Sequence, residues 1–354
     1  MKIAILGLPS SGKKTIFKLL TGREAPGSLQ RRASEVVSGA ALVKDPRVDK
    51  IATIVVPNKI TYALTEFVLC NDIDPTSSTT KGVAPWLQES RLCDLLMIVV
   101  RDFTSEEVYH PLGSVSASRD QENLKIELIL ADLDLVEKRL ERMAKDKVKI
   151  KLTTTQQLEE QILLKFRPHL EANELLSSIE LTSEEKSAIS SLNFLTRKPI
   201  LWCLNVDDNR VKEFTSSTSE SNLLAISAKI EQEIMEIAEI TERNEYLKEM
   251  GITAPGIDRL NNAAYDLLGL MSFYTMGKDE ARAWSIKKGT PAPAAAGKIH
   301  SDLERGFIRV EVIKYDDLVA LGSEQAIRSA GKAMTKGQDY IIADGDICNF
   351  LFKV

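Results

Sequence analysis

A short loop near the start of the chain constrains the fold more than any other feature: Gly7-Leu8-Pro9-Ser10-Ser11-Gly12-Lys13-Lys14-Thr15. It follows the apolar run Ile3-Ala4-Ile5-Leu6 and leads into a helical pattern carrying Ile16, Leu19 and Leu20. Strand, glycine loop and helix in that order are the setting in which Gly-x-x-x-x-Gly-Lys cradles a phosphate. Glycines let backbone N–H groups converge on an anion, and the helix N-terminus adds a favourable dipole. Ser10, Ser11, Gly12, Lys13, Lys14 and Thr15 are therefore the candidate phosphate-binding residues, with Lys13 reaching the β- and γ-phosphates as a point charge. The next residue is ordinarily Ser or Thr, whose hydroxyl holds Mg²⁺. Here it is Lys14, a cation in the place of a cation ligand.

Two later loops match the first. Pro199-Ile200-Leu201-Trp202-Cys203-Leu204 reads as a strand that runs into Asn205-Val206-Asp207-Asp208. Asn205 and Asp208 stand at the spacing of an Asn-Lys-x-Asp base-reading motif, in which the Asp carboxylate accepts from guanine N1–H and N2–H₂ and the Asn amide contacts N7. Val206 replaces the Lys whose stem lies along the base. A turn rich in Asn and Asp gives the same letters. After a further strand, Leu223-Leu224-Ala225-Ile226, the triplet Ser227-Ala228-Lys229 stands where a backbone N–H and a Lys stem complete such a pocket. Candidate base-binding residues are thus Asn205, Val206, Asp208, Ser227, Ala228 and Lys229, and the ligand class is a purine nucleotide such as GTP.

The switch segment expected after the strand over 64–68 should carry Asp-x-x-Gly, whose Asp holds Mg²⁺ through water and whose Gly senses the γ-phosphate. The strand runs instead into Leu69-Cys70-Asn71-Asp72, with Leu69 in the Asp position and Asp72 in the Gly position. Shifting the frame to Asp72-Ile73-Asp74-Pro75 puts proline, which has no N–H, where the glycine should donate. Phosphoryl transfer depends on metal neutralisation and positioning, so Mg²⁺ is doubtful and hydrolysis is expected to be weak or absent. Relocated metal ligands, with Thr15 or Asp72 substituting, are the alternative.

Composition narrows the classes. The 354 residues suffice for two or three domains. Lys and Arg total 46 against 51 Asp and Glu, a net charge of −5, which gives no global basic field for nucleic acid. Cys70, Cys93, Cys203 and Cys348 form no Cys-x-x-Cys pair, which argues against a zinc site or disulfide framework and fits a reducing compartment. His110, His169 and His300 have no partner at metal or triad spacing, so no metal site is expected. No run approaches the roughly 18 apolar residues of a membrane span, and a strand begins at once; the expectation is a cytoplasmic protein.

Along the chain, strands are expected over 2–6, 64–69 and 95–100, continuous apolar runs that suit a parallel sheet. From Asn123 the period becomes helical through Leu124, Leu128, Ala131 and Leu135, and a second helix is expected over 156–172 after a polar turn at 153–155. That reads as a helical hairpin inserted in one α/β domain, since sheet patterning returns at Pro199. Its basic stretch, with Lys138, Arg139, Arg142, Lys145, Lys147, Lys149 and Lys151, is either a phosphate-backbone grip or a solvated face. Near Ser272 the character shifts to short strands over 283–286, 307–312, 340–342 and 347–352 with glycine turns, a β-grasp-like or α+β domain. Lys287, Lys288, Lys298, Arg305 and Arg309 form a looser basic set there, and residues 291–297 read as a loop.

The chain resembles the YchF or Obg-like ATPase family, a branch of the translation-factor-related P-loop GTPases, over essentially its whole length. The resemblance rests on Met1–Pro9, on Asp45-Pro46-Arg47-Val48-Asp49-Lys50, on Glu66-Phe67-Val68 and on Glu127-Leu128-Ile129-Leu130-Ala131-Asp132-Leu133. The most specific portion is Phe273-Tyr274-Thr275-Met276-Gly277-Lys278-Asp279-Glu280-Ala281-Arg282-Ala283-Trp284, followed by Ala296-Gly297-Lys298-Ile299-His300-Ser301-Asp302-Leu303-Glu304-Arg305-Gly306-Phe307. Gly337-Gln338-Asp339-Tyr340 and Asp344-Gly345-Asp346 complete it. It implies an α/β fold in three parts. These are a P-loop G domain with a mostly parallel sheet (1–120 and 196–271), an inserted α-helical hairpin (121–195) and a C-terminal β-grasp (TGS) domain (272–354). It also implies association with ribosomes or RNA. Family members typically carry Asn-x-x-Glu at the base loop and favour ATP; Asp208, one methylene shorter, leaves the base open. They keep the Ser and Asp that hold Mg²⁺, here Lys14 and Leu69, and a switch threonine, here Ala33. The Lys14 ammonium standing in for Mg²⁺ is one consequence. A purine-nucleotide-binding regulator, a working P-loop NTPase and a nucleotide-independent scaffold are the three functions these observations support.

Overall fold

A computed structural model describes residues 1–25, 37–74, 84–148, 152–215, 222–249, 252 and 254–353. Ala33, Pro75, Lys149 and Lys151, considered above, lie outside the described residues. Among the described residues, the first seven strands are β1 (Lys2–Gly7), β2 (Val37–Val43), β3 (Lys59–Thr61), β4 (Ala63–Leu69), β5 (Leu95–Asp102), β6 (Ile200–Val206) and β7 (Leu223–Ile226). The remaining five are β8 (Leu270–Met276), β9 (Glu280–Lys287), β10 (Phe307–Lys314), β11 (Met334–Lys336) and β12 (Asp346–Phe352). They form two six-stranded sheets, ordered β2-β4-β1-β5-β6-β7 and β11-β10-β12-β8-β9-β3.

The chain divides into two compact units, one of residues 1–39 and 66–260 and the other of 40–65 and 261–354. In the first, β1 pairs in parallel with β4 and β5, and β6 with β5 and β7. The near-continuous burial of β1 and β5 is what a parallel sheet covered on both faces requires. Helix α1 (Lys13–Thr21) follows β1 and buries Ile16, Phe17, Leu19 and Leu20, the apolar positions at helical spacing.

Between β5 and β6 lies the expected pair of long helices. They are α4 (Ala117–Lys147) and α5 (Thr154–Glu171), preceded in the chain by α2 (Pro46–Val55) and α3 (Pro85–Arg91). Thr153 and Gln156 close a capping box at the start of α5. The pair has its own core of Ile129, Val136, Met143, Ile162, Leu163, Phe166, Leu170 and Phe194. Asp132, fully buried on α4, ties that core to the return segment. Its carboxylate accepts from Arg91 Nη1 at 2.9 Å, Leu195 N at 3.2 Å, and Thr196 N and Oγ1 at 2.8 Å each. That network accounts for Asp132 within the Glu127–Leu133 signature.

In the second unit, β8 runs antiparallel to β9, β10 antiparallel to β11 and β12, and β3 parallel to β9. Here the signatures are polar clamps. Asp45 caps α2 by accepting from Arg47 N at 3.0 Å, Pro46 starts the helix, and Tyr274 Oη donates to Asp45 Oδ2 at 2.5 Å. Arg47 also reaches Asp344 at 2.6 Å, whose other oxygen accepts from Ser272 N at 3.0 Å. Asp346, fully buried, accepts from Tyr340 Oη at 2.7 Å, Ala343 N at 2.9 Å and Lys314 Nζ at 2.5 Å.

Three expectations for this region change. The strand at 340–342 is only an isolated bridge between Pro291 and Ile341, because the Tyr340 side chain is drawn to Asp346. The supposed loop at 291–297 opens a helix, Ala292–Ile299, with Pro291 as its cap and Ala292, Ala295 and Ala296 fully buried. Strand β8 begins at Leu270, before the expected shift at Ser272.

Candidate functional site

The Gly7–Thr15 loop leaves β1 and enters α1 through two backbone positions that only glycine suits. Gly7 (φ +152°) would bring a Cβ to 2.3 Å from Val99 O, and Gly12 (φ +95°) one to 2.3 Å from Asn205 Nδ2. Gly12 caps α1 with no side-chain partner, and the first turn of the helix contains no acid. The turn thus presents backbone N–H groups together with Lys13 and Lys14, a pattern suited to an anion. Ser10 is exposed in a left-handed conformation (φ 62°), and Thr15 is half-buried. Ser11 is buried, and its Oγ has no hydrogen-bond partner among the described residues. An orphaned buried hydroxyl beside a glycine cradle fits a phosphate that would accept from it.

Lys13 is 4% exposed, and its ammonium donates to Leu8 O at 2.7 Å and pairs with Asp72 Oδ1 at 2.7 Å. Burial draws its pKa below the ordinary lysine value, and Asp72 partly restores it. Lys14 is exposed and makes no ion pair among the described residues. Leu69, the residue in the switch aspartate's position, is an apolar side chain buried at the end of β4.

The loops after β6 and β7 come to the phosphate loop through one buried side chain. Asn205 Nδ2 donates to Ser11 O at 3.2 Å, while its Oδ1 accepts from Ala228 N at 3.1 Å. Its amide is therefore a strut joining all three loops. Asp208 is held by Ser227 Oγ at 2.5 Å and Lys229 Nζ at 2.8 Å. Burial alone pushes the Asp208 carboxyl up, but the hydrogen bonds from Lys229 and Ser227 outweigh it and keep the group below the usual carboxylate range. Ser227 Oγ also caps the helix Ala228–Glu236 by accepting from Ile230 N at 3.3 Å. Val206 does not join this group, because as the last residue of β6 it is buried in the hydrophobic core.

Two participants escaped the sequence reading. Asp207 accepts from Thr104 N at 3.1 Å and from its hydroxyl at 3.1 Å, fixing the segment after β5 to the loop after β6. Asp72 was considered as a misplaced switch residue and a substitute metal ligand, not as the anion of Lys13. The histidines serve elsewhere: His110 faces Asp120 at 2.9 Å, His169 faces Glu174 at 2.6 Å, and His300 caps the helix Ser301–Arg305.

Comparison with known proteins agrees with this architecture. The family model YchF-GTPase_C, described as a protein of unknown function, matches residues 270–353. The ribosome-binding ATPase YchF of Escherichia coli O157:H7 is 37% identical across the whole chain and 99% of its own length. That of Bacillus subtilis (strain 168) is 36% identical over 99% of this chain and 98% of its own. The structure of the Schizosaccharomyces pombe YchF GTPase superposes with a TM-score of 0.81 at 26% identity, covering 99% of this chain and 97% of that one. The chain belongs to the YchF family.

Proposed function

We propose that this protein is a ribosome-associated, purine-nucleotide-binding regulator that hydrolyses its nucleotide weakly or not at all. The observation that supports the reading is the Asn205 strut, which ties the Gly7–Thr15 loop to the segments after β6 and β7. Ser11, Lys13 and the N–H groups of the first turn of α1 would hold phosphates, and Asp208 with Ser227–Lys229 would face the base. A carboxylate in that position favours a purine with N–H donors on its pairing edge, while the relatives are named ATPase and GTPase, so both ATP and GTP are ligands to test. Lys14 supplies positive charge where a hydroxyl would hold Mg²⁺, which supports metal-independent binding and slow turnover.

The ribosome is the partner because two relatives are named ribosome-binding. The exposed end of α4, with Lys145 and Lys147, is the contact proposed for RNA, although Lys147 already pairs with Glu160 at 2.6 Å. The division into a G domain (1–120 and 196–271), a helical hairpin (121–195) and a TGS-like domain (272–354) belongs to the same reading, as does a cytoplasmic location. No helix among the described residues is long and apolar enough to cross a membrane.

Fluorescent ATP and GTP analogues, titrated with Mg²⁺ and then with EDTA alongside a turnover assay, test the proposal. Affinity unchanged by EDTA with negligible turnover is the expected result. Binding that requires Mg²⁺, with turnover abolished in Lys13→Ala, would replace it with the working-NTPase reading that the relatives' names favour.

A further inference from the structure

The loop after β4 supplies the phosphate loop with an anion of its own. Ile73 N donates to Gly7 O at 3.1 Å, which docks this loop against the phosphate loop, and the preceding residue, Asp72, places Oδ1 2.7 Å from Lys13 Nζ. Lys13 is 4% exposed, whereas the Asp72 carboxylate is about half exposed. The ammonium carries three donors, and two are engaged, by Asp72 and by Leu8 O. The buried cation that would meet a phosphate therefore already has a counter-charge, which can move toward solvent.

Sheet order gives that pair a direction. The base loops follow β6 and β7, the phosphate loop follows β1, and β4 lies on the far side of β1. A nucleotide with its base at Asp208 and its phosphates at Lys13 directs its terminal phosphate toward the loop that bears Asp72. A diphosphate would bring one phosphate fewer to Lys13 and its Asp72 partner, whereas a triphosphate would extend its most charged end further toward that carboxylate. If Asp72 stays, the two anions repel; if it leaves, its pair with Lys13 is lost. Both outcomes penalise the triphosphate more.

We propose that Asp72 is a specificity-determining residue that makes this site favour nucleoside diphosphates over triphosphates. The proposal rests on the nucleotide-site reading above and adds to it which phosphorylation state is bound. Burial lowers the Lys13 pKa and Asp72 opposes that effect, in keeping with a carboxylate that holds the ammonium charged.

Equilibrium binding of ADP, ATP, GDP and GTP in EDTA, on the intact protein and on Asp72→Asn, is the test. The unmodified protein is expected to bind the diphosphate about tenfold or more tightly than the triphosphate of the same base. Asp72→Asn, isosteric and neutral, is expected to bring that ratio below about threefold, chiefly by strengthening triphosphate binding. An unmodified protein without diphosphate preference overturns the proposal whether or not the variant folds, and so does an unchanged ratio in Asp72→Asn. Binding of no nucleotide by either protein at millimolar concentration, in EDTA and again with Mg²⁺, overturns the site reading itself, and the proposal with it; binding seen only with Mg²⁺ overturns the proposal alone.

Discussion

Replacing Asn205 with Ala tests whether one side chain joins three loops. The substitution deletes the donor to Ser11 O (3.2 Å) and the acceptor for Ala228 N (3.1 Å), both at buried positions. Each backbone group left unpaired costs about 1–3 kcal/mol. The combined loss is about 2–5 kcal/mol, allowing for partial hydration of the space left by the amide. The surface pair Lys229–Asp208 provides the contrast: with Lys229 72% exposed and its ion pair screened by solvent, Lys229→Ala is expected to leave the unfolding midpoint essentially unchanged. Urea unfolding followed by tryptophan fluorescence in a Trp284→Phe background leaves Trp86 and Trp202, both in the first unit, as reporters. The midpoint should fall by the predicted energy divided by the m-value, with m unchanged. A loss below about 0.5 kcal/mol for Asn205→Ala would refute the strut, since a base-contacting amide with no structural duty would behave in that way.

Asp132→Ala should destabilise the first unit by about 3–5 kcal/mol, because it leaves Arg91 and two backbone N–H groups without their buried carboxylate; the same unfolding assay reads it. In the second unit, burial raises the Asp45 pKa but hydrogen bonds from Arg47 and Tyr274 outweigh it, so the folded value lies below the unfolded one. Asp45 therefore contributes stability fully present above about pH 4 and lost as pH falls through its folded pKa. Trp284 fluorescence should show a shallower acid dependence in Asp45→Asn, and an unchanged acid limb would contradict the clamp. Burial pushes the Cys93 thiol up to about 11, and Cys70, Cys203 and Cys348 are also buried. The native protein should leave a thiol reagent unreacted at pH 8 until it is unfolded, and stoichiometric labelling of the folded protein would contradict this packing.

Much of the nucleotide region was legible because its signals are local. An apolar run, two glycines and a lysine specify β1, the phosphate loop and α1 without reference to the rest of the chain. The capping box at Thr153 and the apolar spacing of α4 are of the same kind. Elements that depend on partners were not legible. Strand β3 is three residues with little burial and exists through its pairing with β9. Residues 291–297 resemble a linker by composition, yet three alanines pack into the second unit's core and make them helical. In the candidate site, Asn205 and Asp208 were singled out by spacing, but the contacts they make span long stretches of sequence. The Asn205 amide meets Ser11 and Ala228, and Lys13 meets Asp72; no one-dimensional pattern encodes those meetings. Val206 was assigned to the base by position alone, and alternation along β6 turned it into the core.

Titration calorimetry of ATP, ADP, GTP and GDP in EDTA into the intact protein and into Lys13→Ala tests the nucleotide site most directly. Saturable one-to-one binding of a purine nucleotide, weakened at least tenfold in Lys13→Ala, is expected. Heat-silent titrations at millimolar nucleotide both in EDTA and with Mg²⁺, or binding indifferent to Lys13, would contradict the site and leave the fold as a scaffold.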